Sequence, residues 1–240
     1  MRVLVALLLV LVVSILFHTT IRKHPGAFYL VALALCAVYF ASFVAPDLRV
    51  NYWYATFLKV MQRGTLGFAL ITVVMYIGVL PQVSRLRDML GPIRRQLSIA
   101  GCIMLVPHIA FYARSYLASN VLSDFNNVAV SLVLAMVLVV VGLMLFVTSF
   151  LVVRHGMSPA TWKRVQRSSY VFFGLMFVHL LLFLLPSVLA GRAETQLVVA
   201  IYLMLGIVYA VLRIVRHVRD CRGLDVGASA GNADVLGARN

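Results

Sequence analysis

Two histidines carry the chemistry that is hardest to explain as structure. His108 lies in an uncharged run between Arg95 and Arg114, and His179 lies in the uncharged run 168–191. A neutral imidazole keeps a nitrogen lone pair that can bind a metal. An ionisable side chain inside a long apolar helix is costly, so it is a functional candidate by default. The pair favours a metal held between two helices.

The elements that must position these histidines are membrane-spanning helices. Hydrophobic residues make up 63% of the 240 residues and charged residues 12%, whereas soluble domains are about half apolar and a quarter charged. The net charge is +14, from 21 basic and 7 acidic residues. The bases lie in short clusters between apolar runs, which is typical of membrane proteins. We therefore expect the lipid bilayer as a partner, and no nucleic acid.

The apolar runs predict an all-α, polytopic membrane helix bundle of about seven transmembrane helices. A spanning helix needs about 20 mostly apolar residues. The sixth helix is expected to begin near Ser158-Pro159, as an N-cap followed by proline. The first run is interpreted as a retained anchor, because no small-residue cleavage site follows it. The predicted spans are residues 3–20, 26–45, 64–80, 95–114, 125–153, 168–191 and 195–212.

The distribution of basic residues predicts the orientation of the bundle. Of the 20 lysines and arginines from Arg2 to Arg222, fourteen follow the odd-numbered spans and six lie on the opposite side. The positive-inside rule then places the N-terminus outside and the C-terminus in the cytoplasm of a multi-pass cell-membrane protein. The arginine clusters could instead bind acidic lipids, although orientation alone explains most of them.

The two histidines are predicted to lie at matching depth. His108 follows Arg95 by 13 residues, a helical rise of about 20 Å. His179 follows Trp162 by 17 residues, and both helices start on the same side. Haem b suits such a pair, because haem brings its own nitrogens, whereas zinc requires three or four protein ligands. The alternative is that each histidine hydrogen-bonds a serine, a threonine or a carbonyl of a neighbouring helix.

Further residues near these spans are compatible with a haem. Arg114 and Arg192 lie at the outer edge and could hold propionates, or they could extend to the interface without a ligand. Pro107 is expected to kink the fourth span. Three aromatic residues could pack a porphyrin or form ordinary core: Phe111, Phe177 and Phe183.

Several classes of function are disfavoured. The three cysteines are scattered, which excludes a cysteine metal site and covalent c-type haem. The chain has no G-x-G-x-x-G motif after a strand and no P-loop, so we expect it neither to bind NAD(P)H nor to hydrolyse ATP. Its acidic residues lie in connections rather than deep in spans, which disfavours ion-coupled transport.

Several short motifs follow one another in a characteristic order between residues 64 and 186. They are Gly64-Thr65-Leu66-Gly67, Arg94-Arg95-Gln96-Leu97-Ser98, His108, Phe146-Val147-Thr148-Ser149, Trp162-Lys163-Arg164-Val165-Gln166, Tyr170 and His179. In these motifs the chain resembles the ferric reductase-like transmembrane domain family. The similarity is to its bacterial haem-binding branch, which includes the membrane subunit of the periplasmic methionine-sulfoxide reductase system.

The resemblance implies a division of the chain. It implies a haem-binding helical core over residues 64–186, preceded by two helices and an outer connection over 1–63. A final helix over 187–217 follows the core, and the composition of residues 218–240 predicts a disordered cytoplasmic tail.

The resemblance also implies roles for individual residues. In that family, paired histidines on two helices hold b-type haems, so His108 and His179 become the axial ligands of one haem near the outer face. The family's inner histidines are replaced by Gln166 and by Arg94 or Arg95, which makes the inner haem site degenerate. Electrons entering from the cytoplasm would then need a flavin, a quinol or a partner protein.

The predicted function is that of an integral-membrane b-type cytochrome. It would be an oxidoreductase subunit for electron transport that lacks its own NAD(P)H/FAD domain and passes electrons to an acceptor on the outer side. Ligation by two histidines leaves no open iron position, so no catalytic residue is expected in this chain. The alternative is a non-redox membrane protein, a transporter or assembly partner, that retains the scaffold. A haem-dependent sensor is not distinguished from the first reading by the sequence.

Overall fold

The computed structural model describes residues 2–45, 47, 51–81, 83–117 and 127–237, with the backbone alone at 117 and 222–237. The described residues form helices and contain no strand. A 3-10 turn over Gly91–Ile93 joins α6 to α7. The helices are α1 (Arg2–Leu16), α2 (His18–Lys23), α3 (Pro25–Val44), α4 (Tyr52–Gln62), α5 (Thr65–Ile77), α6 (Arg85–Leu90), α7 (Arg94–Leu117), α8 (Asn127–Val147), α9 (Leu151–His155), α10 (Pro159–Leu189) and α11 (Ala193–Gly237).

The described helices confirm an all-α protein with several helices suited to a membrane. Helices α4 and α5 satisfy the same test together, with a bend of 51° between them. Helix α1, with 15 residues, is a shorter apolar helix. Five stretches are long and apolar enough to cross a bilayer: Pro25–Val44, Arg85–Tyr116, Asn127–Val147, Pro159–Leu189 and Ala193–Cys221.

Helix α5 lies at the centre of the bundle. Nearly all of its residues are buried, as expected for a helix that is apolar on every side. One hydrophobic cluster joins α5 to α1, α3, α4 and α7, and a second joins it to α10 and α11. The Tyr76 hydroxyl donates to the Leu205 carbonyl at 2.7 Å and ties α5 to α11. Helix α5 therefore connects the cluster formed with α1, α3, α4 and α7 to the cluster formed with α10 and α11.

The α4–α5 corner was not predicted from the sequence. Lys59 and Arg63 interrupt the apolar run, so only the stretch from Gly64 onward was recognisable as a span. Gly64 has a φ of +63°, a left-handed conformation that glycine adopts without steric cost. This residue turns the chain from α4 into α5.

The predicted fifth span, 125–153, is interrupted in the structure. Helix α8 ends at Val147, and a turn separates it from the short helix α9. The hydroxyls of Thr148 and Ser149 donate to the carbonyls of Met144 and Leu145 at 2.8 and 2.7 Å. Serine and threonine hydroxyls that bond back to the backbone compete with helix continuation, which explains the break.

Helix α10 begins where the sequence predicts, whereas α11 extends beyond its predicted end. The start of α10 is confirmed, because the Ser158 hydroxyl accepts from the Thr161 N–H at 3.2 Å and Pro159 follows the cap. Helix α11 extends to Gly237, where the composition favoured a disordered tail from residue 218. Extending a helix that has already formed needs no new nucleus, which accounts for helical backbone in a segment of weak helix formers.

Candidate metal centre

Helices α7 and α10 carry matching pairs of side chains. His108 is followed one turn later by Tyr112, and His179 is followed one turn later by Phe183. The Tyr112 and Phe183 rings meet edge to face with centroids 5.5 Å apart, and the His108 ring lies 4.9 Å from Tyr112. The two imidazoles are within electrostatic range of each other. We call these four side chains the histidine level.

The imidazole of His108 is held by the α4–α5 corner. Its Nδ1 lies 2.7 Å from the carbonyl oxygen of Gln62. A carbonyl can only accept, so the proton is on Nδ1 and the lone pair on Nε2. A Cβ at Gly64 would come within 3.1 Å of the His108 Cγ. The glycine therefore lets the corner pack directly against the ring.

The imidazole of His179 is held by α8 in the same tautomer. Its Nδ1 lies 3.0 Å from the Ser131 carbonyl oxygen and 3.0 Å from the Ser131 hydroxyl oxygen. The same hydroxyl donates to the His179 carbonyl at 3.4 Å. Ser131 is 1% exposed, so these bonds are shielded from competition by water. The Nε2 of His179 is again the atom with the lone pair.

Both histidines thus make the interhelical hydrogen bonds of the non-metal alternative. Those bonds use only Nδ1, and among the described residues no hydrogen bond reaches Nε2 of either ring. Histidines that bind metals almost always donate their other N–H to a carbonyl, a carboxylate or water, which fixes the ring. The two residues could therefore hold a haem, which would bring its own nitrogens to the iron. No group of three or more metal-binding side chains converges within the described ranges.

Three residues at this level were missed from the sequence. Arg63 lies within electrostatic range of Tyr112 and Tyr202, and the Tyr202 ring packs edge to face on Phe68 at 5.0 Å. Ser131 could have been noticed as a lone hydroxyl in an apolar helix. Gln62 acts through its main-chain carbonyl, so its side-chain type gave no signal.

The residues expected near haem propionates have other neighbours. The guanidinium of Arg114 stacks over the Phe43 ring at 5.1 Å and, with Gln62 and Phe111, lines a cavity of about 360 Å³. Arg192 is exposed in the turn after α10. Among the aromatic candidates, Phe183 belongs to the histidine level, whereas Phe177 packs on Phe173 and Phe68 in the core.

The residues that the resemblance assigns to a degenerate inner site lie at the opposite end of α7 and α10. The Gln166 amide donates to the Thr148 hydroxyl at 3.2 Å, and the Trp162 indole donates to the Thr148 carbonyl at 3.3 Å. The sequence motifs at 146–149 and 162–166 are therefore in contact. Arg94 is within electrostatic range of residues on α10 and α11, whereas Arg95 interacts with Tyr29 of α3. The two arginines thus face different helices.

Comparisons with known proteins give one relative and no assigned function. No family model matches the chain, and no solved structure matches it. A protein of Treponema pallidum (strain Nichols), described as an uncharacterized protein, is 30% identical over 234 residues. The alignment covers 96% of this chain and 63% of the relative, so the chain spans less than two thirds of that protein's length.

Proposed function

We propose that this chain is an integral-membrane b-type cytochrome, an oxidoreductase subunit of the ferric reductase-like kind, in which His108 and His179 ligate one haem b. One observation carries the proposal. Both imidazoles donate Nδ1–H to a backbone carbonyl, and both therefore keep Nε2 for a ligand at a single level of one helix pair. The sequence resemblance supports the same pair of ligands.

The chain's own residues would orient and hold the group. Haem b would supply a one-electron Fe(III)/Fe(II) couple. The carbonyls of Gln62 and Ser131 would fix the two rings and raise the basicity of Nε2. The Tyr112–Phe183 contact would keep α7 and α10 in register at this level. Arg63 would offer a guanidinium to a propionate, in place of Arg114 or Arg192.

The proposal includes seven spans, an outside N-terminus and a cytoplasmic C-terminus in the cell membrane. Five long apolar stretches, the bent α4–α5 pair and the short helix α1 together supply seven candidates, and the basic residues support this orientation. Electrons would enter from a redox partner protein, a quinol or a flavin, and would leave to an acceptor on the outer side.

The test is a reduced-minus-oxidised absorption spectrum of the detergent-purified chain, with the haem extracted and quantified as its pyridine complex. We expect about one low-spin b-type haem per chain. His108→Ala and His179→Ala should each lose it while still inserting in the membrane. The matched control is His155→Ala, because His155 is exposed at the end of α9. Unchanged haem content in both folded variants would contradict the ligand assignment.

A second candidate is a non-redox membrane protein on the same scaffold. The observation that favours it is the loss of an imidazole pair at the inner level, where Gln166 is hydrogen-bonded to Thr148 and Arg94 lies among other arginines. Protein that remains colourless after haem supplementation during expression would favour this candidate over the cytochrome.

A further inference from the structure

Arginine side chains converge on the turn that ends α5. The carbonyl of Leu80 accepts from Arg216 Nη1 at 2.7 Å and from Arg87 Nη1 at 3.1 Å. Arg216 Nη1 also donates to the Gly78 carbonyl at 3.0 Å. Two guanidinium groups from α6 and α11 therefore share a single oxygen atom, which places like charges side by side.

Two more arginines complete the group. Arg94 Nη2 lies 3.3 Å from the point where a Cβ on Gly78 would stand, and Arg94 is within electrostatic range of Arg213 and Arg216. The Arg213 guanidinium stacks on the Tyr170 ring at 4.5 Å. We call these residues the arginine cluster; all its members are half-buried: Arg87, Arg94, Arg213 and Arg216.

The described residues balance the charge of the arginine cluster only poorly. Asp220 pairs with Arg216 at 3.6 Å, but its side chain is 53% exposed, and such surface pairs contribute little. The Gly78 and Leu80 carbonyls offer only partial charges at a helix C-terminus. Guanidinium groups stay protonated and repel one another. An anion placed among them would lower this repulsion.

Topology alone does not explain the convergence. Basic residues that only fix orientation need to lie on one side of the membrane, and they have no reason to gather. Other bases assigned to the same side are exposed and dispersed along α9 and α10: Arg154, Lys163, Arg164 and Arg167. The arginine cluster instead draws on α6, α7 and α11 and surrounds one turn.

We propose that the arginine cluster binds a phosphate group, supplied by the headgroup of an acidic phospholipid or by free phosphate. Planar guanidinium forks match phosphate oxygens in a bidentate manner, and basic pockets between spanning helices recognise acidic headgroups. The lipid is the favoured source, because Val211 and Ile214 are exposed on the same stretch of α11 and could receive an acyl chain. The proposal does not depend on the haem assignment.

The test compares lipid retention by the full-length chain in native mass spectrometry after delipidation. Phosphatidylglycerol and phosphatidylcholine are added in equal amounts. The unsubstituted chain should retain the acidic lipid about tenfold more than the neutral one. In Arg94→Gln/Arg213→Gln the preference for the acidic lipid should disappear, because two guanidinium groups are removed. The variant should still fold, because neither residue donates a described hydrogen bond. The control Arg164→Gln/Arg167→Gln removes the same charge from exposed positions of α10 and should keep the preference.

A second arm separates the two sources of phosphate. Inorganic phosphate is added to the lipid-free chain, with chloride at matched ionic strength as reference, and the thermal midpoint is followed. A phosphate-specific rise that is lost in the double variant, without any lipid preference, would assign the site to free phosphate. The proposal would be overturned if Arg94→Gln/Arg213→Gln and the control kept the same preference for phosphatidylglycerol. It would also be overturned if the unsubstituted chain preferred neither phosphatidylglycerol over phosphatidylcholine nor phosphate over chloride.

A poorly folded glutamine variant would not prevent the test. Arg94→Lys/Arg213→Lys keeps both charges and removes the bidentate fork. It should reduce the preference for phosphatidylglycerol several-fold, with the helical content measured by circular dichroism unchanged. Full retention of the preference in this variant would also overturn the assignment, because it would show that charge alone suffices.

Discussion

The histidine level and the arginine cluster belong to the same bundle, but their polar side chains differ in how far the surrounding residues satisfy them. His108 and Arg94 lie 14 residues apart on α7, a helical rise of about 20 Å. At the histidine level, each neutral ring has a carbonyl partner. At the arginine cluster, charged groups exceed the acceptors that the described residues supply. The first region is therefore organised by the chain alone, whereas the second gains from an external anion.

The two regions also differ in how closely their helices pack. Near the histidine level, α5 and α7 approach so closely that a Cβ at Gly67 would lie 2.7 Å from the Leu105 Cγ and 3.1 Å from the Gly101 carbonyl. Near the arginine cluster, a Cβ at Gly78 would stand 3.0 Å from the Met75 carbonyl oxygen and 3.3 Å from Nη2 of the flexible Arg94 side chain. The space at Gly67 is therefore the tighter of the two, and a backbone carbonyl oxygen limits it at both glycines.

The largest effect that separates the two regions is expected from alanine at these glycines. Gly67→Ala should lower the stability of the folded chain by about 1–3 kcal/mol, the usual cost of overpacking a filled core. It should also reduce haem content, because Leu105 lies on the same helix as His108. Gly78→Ala should cost less, because its closest contact is 3.0 Å rather than 2.7 Å and the Arg94 guanidinium can move. Thermal midpoints in detergent and haem content measure both.

A control for this comparison lies on α10. Gly174 has no atom within 4 Å of its would-be Cβ, so Gly174→Ala should be neutral or slightly stabilising, because alanine is the better helix former. If Gly67→Ala and Gly78→Ala prove equally harmful, the two regions do not differ in the closeness of their packing as described.

A smaller effect is expected from the serine that holds His179. Ser131→Ala removes the hydroxyl but leaves the Ser131 carbonyl in place, so the ring keeps its tautomer. We expect a loss of about 1 kcal/mol in stability, the typical net value of a buried hydrogen bond. We also expect a shift in the midpoint potential of the bound haem, because partners of a metal ligand tune the metal.

The matched change at the other end is Gln166→Ala. It removes the 3.2 Å bond to Thr148 and should cost a similar amount of stability, because one polar side-chain bond is lost in each variant. Its midpoint potential should remain that of the unsubstituted chain. Equal shifts in both variants would show that the two levels are not electronically separate.

The sequence was informative where a residue acts through its own side chain and its own helix. The apolar runs located the long helices, and Ser158 and Pro159 located the start of α10. The intervals to Arg95 and Trp162 predict one depth for His108 and His179. Each of these inferences needs only helical geometry and local capping.

The remaining features depend on contacts between distant segments. Gln62 holds His108 through a main-chain carbonyl, which any residue type could provide. The neighbours of Arg114 depend on how α3 packs against α7. The arginine cluster combines residues from three helices around the end of a fourth, so no local pattern could reveal it.

The smallest expected effect concerns Thr72, on α5 between Gly67 and Gly78. Its hydroxyl is buried and has no hydrogen-bond partner among the described residues, unlike the satisfied rings at the histidine level. Burying such a group costs free energy that an apolar isostere avoids. Thr72→Val should therefore leave the thermal midpoint unchanged or raise it by the equivalent of up to about 1 kcal/mol. Thr72→Ser keeps the hydroxyl and serves as control. If the valine variant is the less stable of the two, the Thr72 hydroxyl has a partner such as a buried water, and the α5 core is polar at its centre.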